Sequence, residues 1–176
     1  MSLHPSRLLL PLAGALLLSP LSSALAKPSR LPVALRATAA ANAGRHLAVK
    51  PKGGLMLGST VTTGKEVFTL VDLNGGALAD GDAVQVEYDS GKRPSYWVEW
   101  AGKVTRSADE PGANSIFKVK WKQKNKTLQL RAASGKWVSG PRKGADVTTV
   151  ARAADATTVF ELVKNPKIVK PAPKKR

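Results

Sequence analysis

Three sequence patterns each occur three times in the same order along this chain, and this repetition constrains the fold more than any other feature. An alternating apolar strand recurs at 33–37, 84–88 and 128–132. A polar turn followed by large residues recurs at 44–48, 95–98 and 135–139. A β-branched residue precedes phenylalanine at 67–68, 116–117 and 159–160. Because one unit is too small to bury its own apolar face, the three units are expected to share one core.

Each repeat is predicted to contain about four short strands, since apolar residues alternate with period two between glycine-rich turns. Three units give about twelve strands, and closure into a barrel removes exposed strand edges. The sequence therefore predicts an all-β fold, a β-trefoil over residues 27–164, with a β-sandwich as the alternative. The alanine-rich stretch 37–43 is expected to be a long loop. The residues expected to meet around the pseudo-threefold axis are Leu47, Phe68, Trp97, Phe117, Val138 and Phe160.

Residues 1–26 have the three parts of a secretory signal peptide. Arg7 lies in a start without acidic residues, Leu8–Leu18 is largely apolar, and Ala24-Leu25-Ala26 fits the small-x-small cleavage rule. The apolar run is much shorter than the roughly 20 residues needed to cross a bilayer, so a membrane anchor is the weaker interpretation. We expect cleavage before Lys27 and a secreted or periplasmic protein with no transmembrane segment in its mature form.

The chain is strongly basic. It contains 28 Lys and Arg against 12 Asp and Glu, a net charge of +16, and Arg7 is the only charged residue before Lys27. Such a charge attracts polyanions, including acidic glycans, nucleic acid and anionic membranes, although a generic basic surface has the same composition. Residues 165–176 combine basic residues with prolines and are predicted to form a disordered basic tail.

The residue types that usually carry catalysis are nearly absent. The chain has no cysteine, and His46 is the single histidine after residue 26. A thiol nucleophile is therefore excluded, and a histidine metal cluster has no support. His46 is expected to be a partly exposed turn residue, and 80–82 (Asp-Gly-Asp) is interpreted as a tight turn because the ligand spacing of a calcium loop is missing. We predict a protein that is not an enzyme and needs no metal or cofactor.

The third repeat resembles a known family. Residues 128–139 (Leu-Gln-Leu-Arg-Ala-Ala-Ser-Gly-Lys-Trp-Val-Ser) and 158–163 (Thr-Val-Phe-Glu-Leu-Val) resemble the fascin-like, actin-crosslinking type of β-trefoil repeat. Residues 81–86 are similar to the Gly-Asp-x-Val entry of such trefoils, and the resemblance spans 31–164. It implies a β-trefoil with a protein-binding or scaffold role, including binding to actin-like filaments. The Gln-x-Trp signature of ricin-type trefoils is absent, so sugar sites of that type are not implied.

Five lysines alternate along one predicted strand: Lys118, Lys120, Lys122, Lys124 and Lys126. In an extended strand they project from one face about 6.5–7 Å apart, while Phe117, Val119 and Trp121 point inward. Like charges this close repel one another unless a polyanion lies along them. The alternatives are an edge strand that lysines protect against further pairing, or a plain solvated face.

Aromatic residues beside basic ones supply a second set of candidate contacts. Lys136 and Trp137 lie at a turn, and alternation in repeat two places Tyr96 and Trp100 outward with Trp97 inward. Exposed rings beside cations suit stacking on sugar rings or bases. A structural role in the core and rim of the trefoil is the alternative.

These features together predict a monomeric binding module for a carbohydrate or other anionic polymer. Its ligand-binding residues would be the five-lysine strand with Lys136, Trp137, Tyr96 and Trp100. An acidic protein surface, as for a fascin-type scaffold, and non-specific extracellular nucleic acid are the alternative partners. Polyanion binding weakens steeply as salt rises, because counterions are released, whereas binding led by stacking changes little.

Overall fold

The computed structural model describes residues 27–91, 93–107, 110–122, 124, 126–151 and 155–169. Within these residues the fold is all-β, with short 3-10 turns at Ala40–Asn42, Ala113–Ser115 and Ala156–Thr158. Its twelve strands are β1 (Ser29–Ala37), β2 (Leu47–Val49), β3 (Leu55–Leu57), β4 (Phe68–Asp72), β5 (Ala83–Asp89), β6 (Pro94–Trp100), β7 (Lys103–Ser107), β8 (Phe117–Lys122), β9 (Thr127–Arg131), β10 (Trp137–Ser139), β11 (Thr148–Val150) and β12 (Phe160–Lys164).

Six of these strands close into an antiparallel barrel. β1 pairs with β4 and β12, β5 pairs with β4 and β8, and β9 pairs with β8 and β12. Each repeat contributes its first and last strand to this ring, so the alternating strand and the phenylalanine strand predicted in each repeat are both barrel strands. Each of the six strands therefore has a partner strand on both sides, as expected for three repeats that close into one barrel.

The middle strands of each repeat form three hairpins, β2–β3, β6–β7 and β10–β11. The hairpins contact one another through the bridges Gly54↔Thr105 and Met56↔Asp146 and through the β7–β11 pairing. Lys50 and Lys103 both pair with Asp146, and these two ammonium groups hold the pKa of the Asp146 carboxyl below its usual value. The three hairpins therefore cap one end of the barrel, and the other end stays open.

The core is arranged in threefold layers. Phe68, Phe117 and Phe160 are each at most 1% exposed, and the Trp97 ring packs edge-on against Phe68 at a centroid distance of 4.9 Å. Leu47 and Val138 are also fully buried in the same cluster. The β-trefoil of about twelve strands predicted from the sequence is confirmed, and the residues predicted to meet at the axis form one core.

A buried polar residue stands two positions before each phenylalanine and fixes the turn into the closing strand. The Ser115 hydroxyl donates to the Gly112 carbonyl (2.6 Å), and the Thr158 hydroxyl donates to the Asp155 carbonyl (2.7 Å). In repeat one the Glu66 carboxylate accepts instead, from the N–H of the residue three positions earlier (2.7 Å). In repeats two and three the same carbonyl also accepts the backbone N–H of the serine or threonine (3.0 Å in both), so the hydroxyl adds a second hydrogen bond to the turn. In repeat one the carboxylate pairs the backbone N–H directly.

Two sequence-based expectations about irregular segments need correction. The stretch 37–43 is not simply a loop, because Ala37 ends β1 and a 3-10 turn follows, in which buried Asn42 donates to the Pro141 carbonyl at 2.9 Å. Residues 165–169, predicted to be disordered, lie against the domain, since the Val169 N–H donates to the Thr62 carbonyl at 2.8 Å.

The predicted signal peptide, 1–26, and the end of the predicted tail, 170–176, lie outside the described residues. Among the residues that are described, no helix has the length and apolar character needed to span a membrane.

Candidate polyanion-binding site

The closing strand of repeat two differs in chemistry from its counterparts in the other repeats. One and three residues after the phenylalanine, the chain has Thr69 and Val71 in β4, Lys118 and Lys120 in β8, and Glu161 and Val163 in β12. Since the same fold accepts threonine, valine and glutamate at these positions, the architecture does not require lysine there. The lysines of β8 are therefore a property of this one surface.

Lys118, Lys120 and Lys122 are exposed and alternate with the buried Phe117 and Val119. We call these three the lysine row. Residues two apart on a strand are separated by about 6.5–7 Å, so the row spans about 13 Å. Among the described residues, no carboxylate lies within ion-pair distance of the row. None of the three ammonium groups therefore forms an ion pair with a described residue.

The neighbouring strand extends the positive surface. Lys118 lies opposite Arg131 of β9, which is exposed, and Lys136 is exposed in the turn that follows. The lysine row, Arg131 and Lys136 together are called the basic surface below. Five cations thus lie on two adjacent barrel strands and the turn after them.

β8 is not an edge strand, so edge protection does not explain its lysines. It pairs with β9 along its length and with the start of β5. Beyond β5, the Val119 N–H donates to the Asp82 carbonyl (2.9 Å) and the Trp121 N–H donates to the Asp80 carboxylate (2.7 Å). Both edges of the strand are therefore satisfied, and lysines are not needed to block further pairing.

The predicted five-lysine strand is shorter than expected. β8 ends at Lys122, and Lys124 lies beyond it in the turn toward β9. Lys126 has a positive φ of 51° and lines a cavity at the open end of the barrel. The alternation that places lysines on one face requires extended backbone, and the turn ends it after the third lysine.

Trp137, predicted to stack on a ligand, lies close to two cations of the protein. Its half-buried ring lies 5.7 Å from the Arg131 Cζ and 6.0 Å from the Lys120 Nζ, both within the range of a cation–π interaction. The Arg131 Nε also donates to the Gly135 carbonyl at 2.9 Å. The ring therefore contacts two of the protein's own cations, and its stacking on a ligand stays a prediction.

The two predicted aromatics of repeat two lie in different settings. Trp100 is 72% exposed at the tip of the β6–β7 hairpin, where Ala101 (φ 48°) and Gly102 (φ 74°) form the turn that favours positive φ at both central residues. Tyr96 is half-buried opposite Glu87 of β5, away from the lysine row. Trp100 is thus available for stacking, and Tyr96 does not belong to the basic surface.

A shallow groove of about 270 Å³ runs beside the lysine row. Lys120 and Lys122 border it, and Thr127 and Gln129 form part of its floor. The Gln129 amide nitrogen donates to the Thr158 hydroxyl at 2.7 Å, which holds the floor in place. The groove offers a cradle for one sugar or phosphate unit beside two ammonium groups.

The structure also places the residues considered for catalysis or metal binding. His46 is 6% exposed rather than a partly exposed turn residue, and its burial lowers the pKa of the imidazole. In the predicted tight turn, the Asp82 carboxylate accepts from the Ala79 N–H at 2.5 Å. No group of three or more His, Cys, Asp and Glu with the geometry of a metal site occurs among the described residues.

Comparison with known proteins supports the fold alone. No protein-family model and no curated protein sequence matches the chain. A designed three-fold symmetric protein, ThreeFoil, superposes with a TM-score of 0.58 at 17% identity, covering 75% of this chain and 97% of that one. A Caenorhabditis elegans protein of unknown function superposes with a TM-score of 0.57 at 10% identity, covering 81% and 98%. These similarities agree with a trefoil of three repeats and carry no function to this chain.

Proposed function

We propose that this protein is a non-enzymatic binding module for a linear anionic polymer, an acidic glycan in first place, that acts outside the cytoplasm. The observation that carries the proposal is the lysine row, which forms no ion pair among the described residues, occurs in one of three equivalent strands and is continued by Arg131 on the next strand. A polyanion laid along β8 would meet ammonium groups about every 6.5–7 Å.

Binding would be driven by charge, with shape as a smaller contribution. The cations would replace counterions condensed on the polymer, so affinity would fall as salt rises. The groove beside Lys120 and Lys122 would seat one unit of the polymer. Trp137 would contribute by holding Lys120 and Arg131 in position.

A scaffold role of the fascin type is a second proposal, favoured by the motif of repeat three. Residues 128–139 supply Arg131 and Lys136 to the basic surface and Trp137 beside it. An acidic filament is itself a linear polyanion, so the same surface would contact it. Extracellular nucleic acid is the remaining alternative, and it would make the same electrostatic contacts without sequence preference.

Retention of the purified protein on immobilised polymers at 150 mM and 500 mM NaCl tests these proposals. We expect retention on heparin and on polygalacturonate at the lower salt, release at the higher salt, and no retention on a neutral glucan. Stronger retention on single-stranded DNA or on filamentous actin would select the corresponding alternative. Retention on the neutral glucan that survives high salt and is lost in Trp100→Ala would show that stacking, and not charge, carries binding.

A further inference from the structure

The open end of the barrel contains a second concave site, separate from the basic surface. A cavity of about 1300 Å³ lies where β1 begins and where β4, β8 and β12 end. Leu31, Leu78 and Trp121 line it and are only partly buried, although they pack on the main core. Lys118, Lys120 and Lys122 do not line it. The cavity therefore offers an apolar wall that no hairpin covers.

The threefold repeat shows which positions of this cavity are unusual. Two residues after each phenylalanine lie Leu70, Val119 and Leu162, all apolar and at most 3% exposed. Four residues after each phenylalanine lie Asp72, Trp121 and Lys164, and all three line the cavity. Since alternate residues of a strand share a face, these three form the last inward layer of the barrel. That layer brings a carboxylate, an indole and an ammonium to one opening.

Asp72 has an unmet hydrogen-bonding requirement. The residue is 3% exposed, and its Oδ1 accepts from the Asn74 N–H at 2.9 Å. Its Oδ2 is buried and has no hydrogen-bond partner among the described residues. A buried carboxylate oxygen without a donor is costly, and such atoms in native proteins usually receive a donor from water or a ligand. The wall of the cavity thus contains an acceptor that suits a hydroxyl or an ammonium.

The rim of the cavity has charges of both signs, with cations in excess. The two arginines in its lining, Arg30 and Arg36, each pair with a glutamate. Lys126 and Lys164 also line it, are exposed, and have no carboxylate within ion-pair distance among the described residues. Among the described lining residues, four charged groups have no ion pair: the buried Asp72, the exposed Asp80, whose Oδ1 accepts from the Trp121 N–H at 2.7 Å, and the exposed Lys126 and Lys164. Of these, the Asp72 Oδ2 is the one buried oxygen without a donor, and apolar surface lies between it and the two ammonium groups.

We propose that this cavity binds a small amphoteric molecule, of the class of short apolar peptides with free termini. The peptide ammonium would donate to Asp72, its carboxylate would contact Lys164 and Lys126, and its side chains would pack on Trp121 and the nearby leucines. The volume exceeds the roughly 300–1,000 Å³ of common ligand pockets, which favours a peptide over a single amino acid.

Isothermal titration with leucyl-leucine tests the proposal, because each charge of this probe can be removed separately. We expect N-acetyl-leucyl-leucine and leucyl-leucine amide each to bind about tenfold or more weakly than the free dipeptide, since a hydrogen bond to a charged group contributes enough for that loss. Free leucine should also bind more weakly. Absence of binding heat with the dipeptide up to about 10 mM, a range that detects even millimolar affinity, would overturn the proposal.

Two variants assign the contacts. Asp72→Asn retains an oxygen for the Asn74 N–H and should weaken the free dipeptide while leaving the N-acetyl form unchanged. Lys164→Met should weaken the free dipeptide while leaving the amide unchanged, and Lys120→Met on the basic surface serves as the control. If Asp72→Asn fails to fold, as judged by circular dichroism, the Lys164→Met variant still tests the proposal, because Lys164 is exposed and its replacement should not affect folding. If a variant weakens the free dipeptide and the matching N-acetyl or amide probe by the same factor, the assigned contact is wrong.

Discussion

Neutralising the lysine row should change the salt dependence of polyanion binding as well as its strength. If all five cations of the basic surface contact anionic groups, log Kobs should fall against log salt with a slope of about −3.5, taking about 0.7 per contact as for single strands. A triple variant, with glutamine in place of Lys118, Lys120 and Lys122, retains two cations and should have a slope of about −1.4. Between 50 and 200 mM salt, affinity should therefore fall about 130-fold for the parent and about sevenfold for the variant.

Fluorescence anisotropy with a labelled heparin oligosaccharide measures both slopes. A control with the same loss of charge is Lys52→Gln, Lys65→Gln and Lys143→Gln, three exposed lysines outside the basic surface. The control should keep the parent slope, because total charge affects long-range attraction whereas the slope counts contacts. If both triple variants reduce the slope equally, the lysine row has no special role and the reasoning from β8 fails.

Three further predictions concern the fold and the supporting aromatic. Gly58→Ala would place a Cβ 2.7 Å from the Ala48 Cβ and should cost about 1–3 kcal/mol in chemical denaturation, whereas Gly112→Ala at φ −110° should cost little. Because burial lowers the pKa of His46 below its usual 6.5, the unfolded chain gains the proton first as pH falls. The unfolding free energy should therefore decrease from pH 7 toward pH 5, by at most about 1.4 kcal/mol per pH unit, and His46→Gln should flatten that dependence. Trp137→Leu should weaken heparin binding by at most about fivefold without changing the salt slope, because a cation–π interaction of about 1 kcal/mol within the protein contributes to binding only by preorganising Lys120 and Arg131.

The repeated features of the sequence were sufficient to predict the architecture. The phenylalanine of each repeat begins a barrel strand, and the alternating segments of all three repeats are barrel strands as well. Period-two alternation works here because each barrel strand has one face in the core and one outside. The inward position of Trp97 and the exposure of Trp100 follow from the same rule.

The features that were missed depend on where strands end and on what lies across the barrel. The sequence pattern places Lys124 and Lys126 on the same strand as the lysines of β8, because alternation alone does not show that this strand ends at Lys122. The burial of His46 follows from its pairing with two other segments of repeat one, through its bridge to Arg36 and through its N–H, which donates to the Ser59 carbonyl at 2.9 Å. Local alternation does not show these pairings. The cations on Trp137 come from two other strands, β8 and β9, and no local pattern relates them to the ring.

The pseudo-threefold symmetry separates what the fold requires from what this chain adds. Where the three repeats agree, as at the phenylalanines and the apolar layer after them, packing explains the residues. Where equivalent positions carry different chemistry, packing does not explain the choice, because the same backbone accepts all three. On the outer face of the barrel, equivalent positions have Lys120 in repeat two and valine in the other repeats, at 71 and 163. At the open end, equivalent positions have Asp72, Trp121 and Lys164. Both proposed sites are therefore argued from differences between equivalent positions. Because the two sites share no residue, an experiment that disproves one proposal does not affect the other.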